Sequence, residues 1–153
     1  RGVVLKSKRG RTPRAYYYMP EHAAALDFCP DIVICNLGIN DIMDWPKFGK
    51  ADFRGDYKKL LNCYRELPTM PEVFVWNKLA PLFPGQTYHG SNIPGEINAA
   101  ITAAAKDLGV NMMDMHMSLK NDAALFPDHI HPNVAGAKKI AEETAKQIKK
   151  AVR

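Results

Sequence analysis

The sequence predicts an α/β fold in which helices cover both faces of a parallel sheet. Short runs of apolar, β-branched residues alternate along the chain with segments of helical periodicity, and proline or glycine bounds the clearest runs. Strands of a parallel sheet are buried on both faces, so they show continuous apolar runs instead of an alternating pattern. The alternation of such runs with helices is typical of this fold class.

Four segments are predicted as strands because each is short and continuously apolar. They are residues 2–6, 31–38, 72–79 and 110–117. The run at 31–38 follows Pro30 and ends at Gly38, and the run at 72–79 follows Pro68 and Pro71. These two are therefore expected to be strands buried on both faces.

Three helices are predicted from apolar residues that recur at intervals of three and four. Two of them cover residues 57–67 and 97–108, and the third covers residues 133–152. Lysines in the last helix fit a solvated face and complement the negative end of the helix dipole. A strand-like run precedes each helix, which supports the α/β prediction.

Length and composition predict a single domain over residues 1–153, since 46% hydrophobic residues suffice for one core. The net charge of +5 comes from the two ends of the chain. Residues 1–14 and 138–153 hold twelve of the 21 basic residues but only two of the 16 acidic ones. The body between them is therefore acidic, and we expect no nucleic-acid partner.

The sequence favours neither a metal, a disulfide framework nor a membrane span. Cys29, Cys35 and Cys63 are odd in number and lack CxxC spacing, so they are expected to be buried apolar residues. No apolar run approaches the roughly 20 residues that a membrane-spanning helix needs. No metal or cofactor is expected, because three histidines lack partners at ligand spacing: His22, His89 and His116.

Polar residues with catalytic potential follow the predicted strands, at the sheet edge where α/β folds bind ligands. Asp128 and His131 are three residues apart, so the carboxylate can reach Nδ1–H and leave Nε2 as a general base. Asn40 follows a predicted strand and could bind a developing oxyanion. A base and an oxyanion donor indicate acyl transfer, provided that a nucleophile is present.

Structural roles remain open for the same residues. Asp128 could be a turn or cap residue and His131 a surface histidine, while Asn40 or Asp41 could hold its loop through backbone hydrogen bonds. Three further side chains in these loops could contact a substrate or pack the loops down: Trp45, Tyr88 and His89.

Residues 37–41 (LGIND) and 127–133 (PDHIHPN) resemble two signature blocks of the SGNH, or GDSL-like, hydrolases, and the resemblance extends through nearly the whole chain. Within the family the chain is most similar to the sialate O-acetylesterase-like carbohydrate esterases. The resemblance implies a flavodoxin-like three-layer α/β/α sandwich and a secreted or periplasmic enzyme.

The resemblance also implies a role for each site residue. Asp128 and His131 would be the acid and base of a Ser-His-Asp triad. Asn40 and the backbone N–H of Gly10 would form the oxyanion hole. His129 stands where the family more often has glycine, and we expect it to be exposed beside the base.

The nucleophile of such a triad has no counterpart in the sequence. No Gly-Asp-Ser block occurs, and none of Ser7, Ser91 and Ser118 follows a strand with the small residues of a nucleophile turn. By the resemblance, this serine follows a first strand upstream of residues 2–6. We therefore expect the chain to be the C-terminal three-quarters of a catalytic domain that lacks its first strand. A preceding segment or a neighbouring chain would complete the sheet.

Our leading hypothesis is a carboxylic-ester hydrolase that deacetylates a carbohydrate or small-molecule ester, with its serine supplied upstream of this chain. The main alternative is a non-catalytic carbohydrate-binding or structural module of SGNH type. A flavodoxin-like nucleotide or flavin binder is a third possibility, but it would need a phosphate-binding loop that the sequence lacks.

Overall fold

The computed structural model describes residues 15–43, 45, 50–76 and 93–152. Within these residues, three parallel strands form one sheet in the order β1-β2-β3. The strands are β1 (Ile32–Cys35), β2 (Glu72–Trp76) and β3 (Asn111–Met113). The strand predicted at residues 2–6 lies outside the described residues.

Helices connect and follow the strands, as the sequence predicts. The α-helices are α1 (Pro20–Asp27), α2 (Lys50–Arg65), α3 (Ile93–Leu108), α4 (Met115–Leu119) and α5 (Val134–Ala151). Short 3-10 helices occur at Tyr16–Tyr18, Ile39–Met43 and Ala123–Leu125. No helix among these described segments combines the length and apolar character needed to cross a membrane.

Two apolar cores, one on each face of β2, make the fold a three-layer sandwich. Val73 and Val75 pack into one core with α2 and α3. Phe74 and Trp76 pack into the other core with the α4 and α5 side of the molecule. This division follows from strand geometry, because successive side chains of a strand point to opposite faces. The predicted α/β fold with a parallel sheet is confirmed.

The strand predicted at residues 110–117 is correct only in its first half. The strand ends at Met113, and the following residues form α4. Asp114 causes the change, because its carboxylate accepts a hydrogen bond of 3.0 Å from the backbone N–H of Met117. That bond caps the helix and satisfies an N–H that has no partner within the helix. A short apolar run does not by itself distinguish strand from helix.

β1 is less buried than its apolar sequence predicts. Ile32 and Ile34 are 42% and 45% exposed, whereas Cys35 is buried. In the described part of the chain, β1 pairs with β2 alone, so its other edge has no strand beside it. The expectation of a strand buried on both faces is therefore wrong for β1.

The three cysteines differ in environment. Cys35 is buried and accepts a hydrogen bond of 3.4 Å from the Tyr57 hydroxyl, and burial raises the pKa of its thiol. Cys29 is exposed and Cys63 is half-buried. All three are free thiols, and the prediction of burial is correct for Cys35 only.

Candidate active site

The predicted site residues in the described structure are Asn40, Asp128 and His131. The strands are parallel, so their carboxyl ends meet at the same edge. Asn40 lies in the 3-10 helix that follows β1. Phe126 is buried in the same apolar core as Trp76 and Met113, the last residues of β2 and β3. We therefore expect residues 126–133 to lie near this edge.

Gly38 makes the turn that carries Asn40. Its φ of +127° is a conformation that side-chain-bearing residues rarely adopt, and a Cβ there would lie 3.1 Å from Cζ of Phe53. The N–H of Asp41 donates a hydrogen bond of 3.0 Å to the Gly38 carbonyl, and Asp41 and Ile42 are buried. The turn is thereby anchored to the core, and Asn40 remains exposed.

Asp128 and His131 form the hydrogen bond expected from their spacing. Oδ2 of Asp128 lies 2.6 Å from Nδ1 of His131. Oδ1 accepts two further bonds, from the backbone N–H groups of Ile130 and His131. Because an ionised carboxylate only accepts hydrogen bonds, Nδ1 is the donor. In the neutral ring Nε2 is then free to accept a proton, and the His131 side chain is 79% exposed.

The hydrogen bonds to Asp128 keep its carboxyl group ionised. The bond from the His131 ring is the largest cause, followed by the bonds from the backbone N–H groups of His131 and Ile130. Together they hold the pKa of Asp128 well below its usual range. Asp128 therefore has two roles. It stabilises the turn through the backbone N–H groups, and it is hydrogen-bonded to the imidazole of His131.

This shift predicts how Asp128 titrates. Because its pKa is lowered on folding, Asp128 stabilises the fold above its ordinary pKa of about 3.9. That contribution is lost as the pH falls through the lower pKa of the folded state. In His131→Ala the pKa of Asp128 should rise toward its ordinary value but remain below it, because the backbone bonds persist. A carboxyl ¹³C NMR titration measures both values.

Asp107 provides the internal control for that titration. Hydrogen bonds from Arg54 and Lys58 lower the pKa of Asp107, and neither residue contacts His131. The pKa of Asp107 should be the same with and without His131. If the pKa of Asp128 also stayed unchanged, the imidazole would not be its main partner.

The start of α5 fixes the segment that carries Asp128 and His131. The side chain of Asn133 accepts a hydrogen bond of 2.9 Å from the backbone N–H of Gly136. The backbone N–H of Asn133 donates a hydrogen bond of 2.8 Å to the carbonyl of Leu125. A Cβ on Gly136 would lie 2.8 Å from that carbonyl oxygen and 2.9 Å from Cβ of Pro132. Gly136 therefore lets α5 approach the segment closely.

Gly136→Ala is expected to destabilise the protein by about 1–3 kcal/mol, because the added methyl group has no space. Gly55→Ala is the matched control, since Gly55 also lies in a helix and nothing lies within 4 Å of its Cβ position. There the substitution should stabilise by up to about 1 kcal/mol, the ordinary helix preference for alanine. Urea denaturation of both variants measures the difference, and two stabilising substitutions would contradict this account of Gly136.

His129 is half-buried, so the expectation that it is exposed is wrong. Its φ is +67°, in the left-handed region that favours glycine. Its Nδ1 is buried and has no hydrogen-bond partner among the described residues. The backbone conformation gives a physical reason why glycine would suit this position.

Trp45 packs its loop against the body of the domain. It is buried, its Nε1–H donates a hydrogen bond of 2.8 Å to Oε2 of Glu96, and its ring meets Phe53 edge-on. Of the two roles considered for Trp45, the structure therefore favours packing. Tyr88 and His89, for which the same two roles were considered, lie outside the described residues.

The described residues contain one of the three serines. Ser118 lies in α4, and its hydroxyl donates a hydrogen bond of 3.0 Å to the carbonyl of Asp114. Gly10, Ser7 and Ser91 lie outside the described residues. Across the described ranges, no group of three or more His, Cys, Asp or Glu side chains could hold a metal ion.

The proteins that resemble the chain include a curated esterase and a solved structure. An acetylxylan esterase from Xylanibacter ruminicola is 30% identical over an alignment of 154 positions, which covers 86% of this chain and 32% of the relative. The chain therefore spans about one third of that relative's length. The crystal structure of an acetyl xylan esterase superposes with a TM-score of 0.62 at 18% identity, covering 90% of this chain and 74% of that one. This likeness supports the predicted fold.

The family is settled by a match along most of the sequence. The family model described as GDSL-like Lipase/Acylhydrolase matches residues 1–139. That range includes both blocks on which the family was predicted, residues 37–41 and 127–133. The chain belongs to the GDSL-like lipase/acylhydrolase family.

Proposed function

We propose that this chain forms the acid–base part of a serine esterase that removes acetyl groups from a carbohydrate. The observation that carries the proposal is the 2.6 Å hydrogen bond between Asp128 and Nδ1 of His131, which leaves Nε2 exposed as a base. Membership of the family supports the reaction class. The two relatives, both named as acetylxylan esterases, support an acetylated polysaccharide as the substrate.

In the proposed reaction, a serine Oγ attacks the acetyl carbonyl carbon while Nε2 of His131 takes the serine proton. Asp128 holds the imidazole in the required tautomer and stabilises the imidazolium. Asn40 and the backbone N–H of Gly10 donate hydrogen bonds to the oxyanion. His131 then passes the proton to the leaving sugar oxygen, so a free hydroxyl group and an acetyl-enzyme result.

The second half of the reaction regenerates the serine. Water attacks the acetyl-enzyme, and His131 removes a proton from that water. When the tetrahedral intermediate collapses, the proton returns from His131 to the serine oxygen and acetate leaves. One ester bond is thus hydrolysed, and no cofactor takes part.

We further propose that the serine lies in a segment encoded before residue 1. The sequence has no Gly-Asp-Ser block. Ser118 is a poor nucleophile because its hydroxyl is bound to the carbonyl of Asp114 within α4. A serine delivered by an adjacent segment would meet the base and the oxyanion donors at the carboxyl edge of the sheet.

The test is acetate release by the chain extended upstream, with acetylated xylan and a panel of acetylated sugars as substrates. Acetate release that His131→Ala reduces on the order of 10³-fold is the expected result. Extended protein that releases no acetate from any of these substrates would refute the proposal.

A non-catalytic carbohydrate-binding module is the second candidate. It is favoured by one observation, the hydrogen-bonded state of Ser118, the single serine that the structure describes. Such a module would bind the polysaccharide and release no acetate. Binding measured alongside hydrolysis therefore distinguishes the two candidates.

A further inference from the structure

The loop that carries Asn40 contacts one buried side chain, Phe53, at both of its ends. At the start of the loop, a Cβ on Gly38 would lie 3.1 Å from Cζ of Phe53, so the backbone approaches the ring closely. At the other end, the ring of Trp45 meets the same Phe53 ring edge-on, with 5.4 Å between the ring centroids. Phe53 and Trp45 are both buried. In sequence, the 3-10 helix Ile39–Met43 therefore lies between two fixed points.

Glu96 holds the second of these points. Its Oε2 accepts a hydrogen bond of 2.8 Å from Nε1–H of Trp45, which joins residues 51 positions apart in the sequence. Glu96 lies in the first turn of α3, where the positive end of the helix dipole stabilises a carboxylate. A hydrogen bond to an ionised acceptor is roughly twice as strong as one between neutral groups. The bond therefore ties the end of the Asn40 loop to α3.

We propose that Glu96 is a positioning residue for ester hydrolysis, which acts through Trp45 to hold Asn40 in place as an oxyanion donor. This role rests on the proposed function, because it requires that Asn40 donates a hydrogen bond to the oxyanion. Such a donor contributes most when it is already oriented before the reaction begins. Asn40 is exposed, so the placement of its side chain depends on the backbone of the loop that carries it.

The contacts of the loop explain why a bond at Trp45 can affect Asn40. The N–H of Asp41 donates to the carbonyl of Gly38 at 3.0 Å, and Ile42 is buried, so the first turn of the loop moves as a unit. Trp45 follows the last residue of the 3-10 helix by two positions. If Trp45 were released, this unit would be held at one end only. A displacement of about 1 Å in a catalytic group can lower a rate on the order of 10²-fold.

The first test is steady-state hydrolysis of an activated acetyl ester by the extended chain. Glu96→Ala should lower kcat by about 10- to 100-fold and change KM by less than about twofold, because an oxyanion donor acts in the transition state. Glu96→Gln keeps an acceptor oxygen and should retain kcat within about threefold. Asp107→Ala is the matched control, since Asp107 is an acidic residue at the other end of α3, bonded to Arg54 and Lys58. This control should leave kcat unchanged.

A double-mutant cycle with Asn40→Ala tests whether Glu96 acts through Asn40. Asn40→Ala alone should lower kcat on the order of 10²-fold. In a chain that already carries Asn40→Ala, Glu96→Ala should lower kcat by less than about threefold further, because the donor that it positions is gone. An equal effect of Glu96→Ala with and without Asn40 would overturn the proposal. If Glu96→Ala does not fold, Trp45→Phe takes its place in the cycle, since it keeps an aromatic ring against Phe53 and removes the N–H donor.

Hydrogen exchange of the same proteins gives a readout that does not depend on activity. Amides of residues 39–42 should exchange at least about tenfold faster in Glu96→Ala than in the unsubstituted chain. Unchanged exchange would overturn the proposal, as would full activity of Glu96→Ala when Asn40→Ala is impaired. Faster exchange together with full activity of Asn40→Ala would instead refute Asn40 as the oxyanion donor of the proposed function, and the anchoring of the loop by Glu96 would stand.

Discussion

His131→Ala in the complete enzyme is expected to lower kcat by on the order of 10³-fold or more, because the imidazole carries the proton in both halves of the proposed reaction. The fold should remain intact, since the side chain is 79% exposed and its ring is hydrogen-bonded to Asp128, itself a surface residue. Steady-state hydrolysis of an activated acetyl ester measures kcat, and circular dichroism of the same samples checks folding.

His129 provides the matched control, two residues away in the same segment. His129→Ala should cost little activity, because its ring is not the partner of Asp128. His129→Gly should be tolerated at least as well, since glycine adopts the observed φ of +67° without strain. If His129 proved essential and His131 dispensable, our assignment of His131 as the base would be wrong.

The contrast between these two histidines illustrates what the sequence can predict about the site. The bond between Asp128 and His131 joins residues three apart, so their spacing alone makes it geometrically accessible. The left-handed conformation of His129 and the burial of its Nδ1 depend on how residues 126–133 pack against the rest of the domain. The pattern of residue types contains no signal for either feature.

Long-range features of the site could be expected only through the fold. Asn40 and His131 are far apart in sequence, and they were expected at one edge because parallel strands end together. The role of Gly136 could not be predicted from the fold class either. From the sequence, a glycine inside a helix is expected only to lower helix stability slightly. The close contacts of Gly136 with Leu125 and Pro132 explain why glycine is needed at this position.

The elements of the fold were predicted where the apolar periodicity is strong and were missed where it is weak. The long helices α2, α3 and α5 have clear apolar stripes, and each was predicted with an error at one or both ends. The helix α1 was not predicted, because His22 is its one buried residue and no apolar stripe marks it. The exposure of β1 could not be predicted, because a continuous apolar run is the same whether or not a neighbouring strand and helix are present.

Residues 1–153 alone are expected to show no burst of acyl-enzyme with an activated acetyl ester and no labelling by a serine-directed phosphonate. Without the triad serine, the proposed base and oxyanion donors could only activate water, and partial triads retain roughly 10³–10⁴-fold catalysis over water. Pre-steady-state kinetics measures the burst, and mass spectrometry of the intact protein measures the label.

The extended chain is the positive control for this last prediction, and it should take up one phosphonate per molecule. The extended chain carrying His131→Ala should label far more slowly, because its serine would lack the base. In the described part of the chain, the hydroxyl of Ser118 donates a hydrogen bond of 3.0 Å to the carbonyl of Asp114, so we expect it to be a poor nucleophile. Stoichiometric labelling of Ser118, Ser7 or Ser91 in the short chain would show that the nucleophile lies within this sequence, and the serine would no longer need an upstream segment.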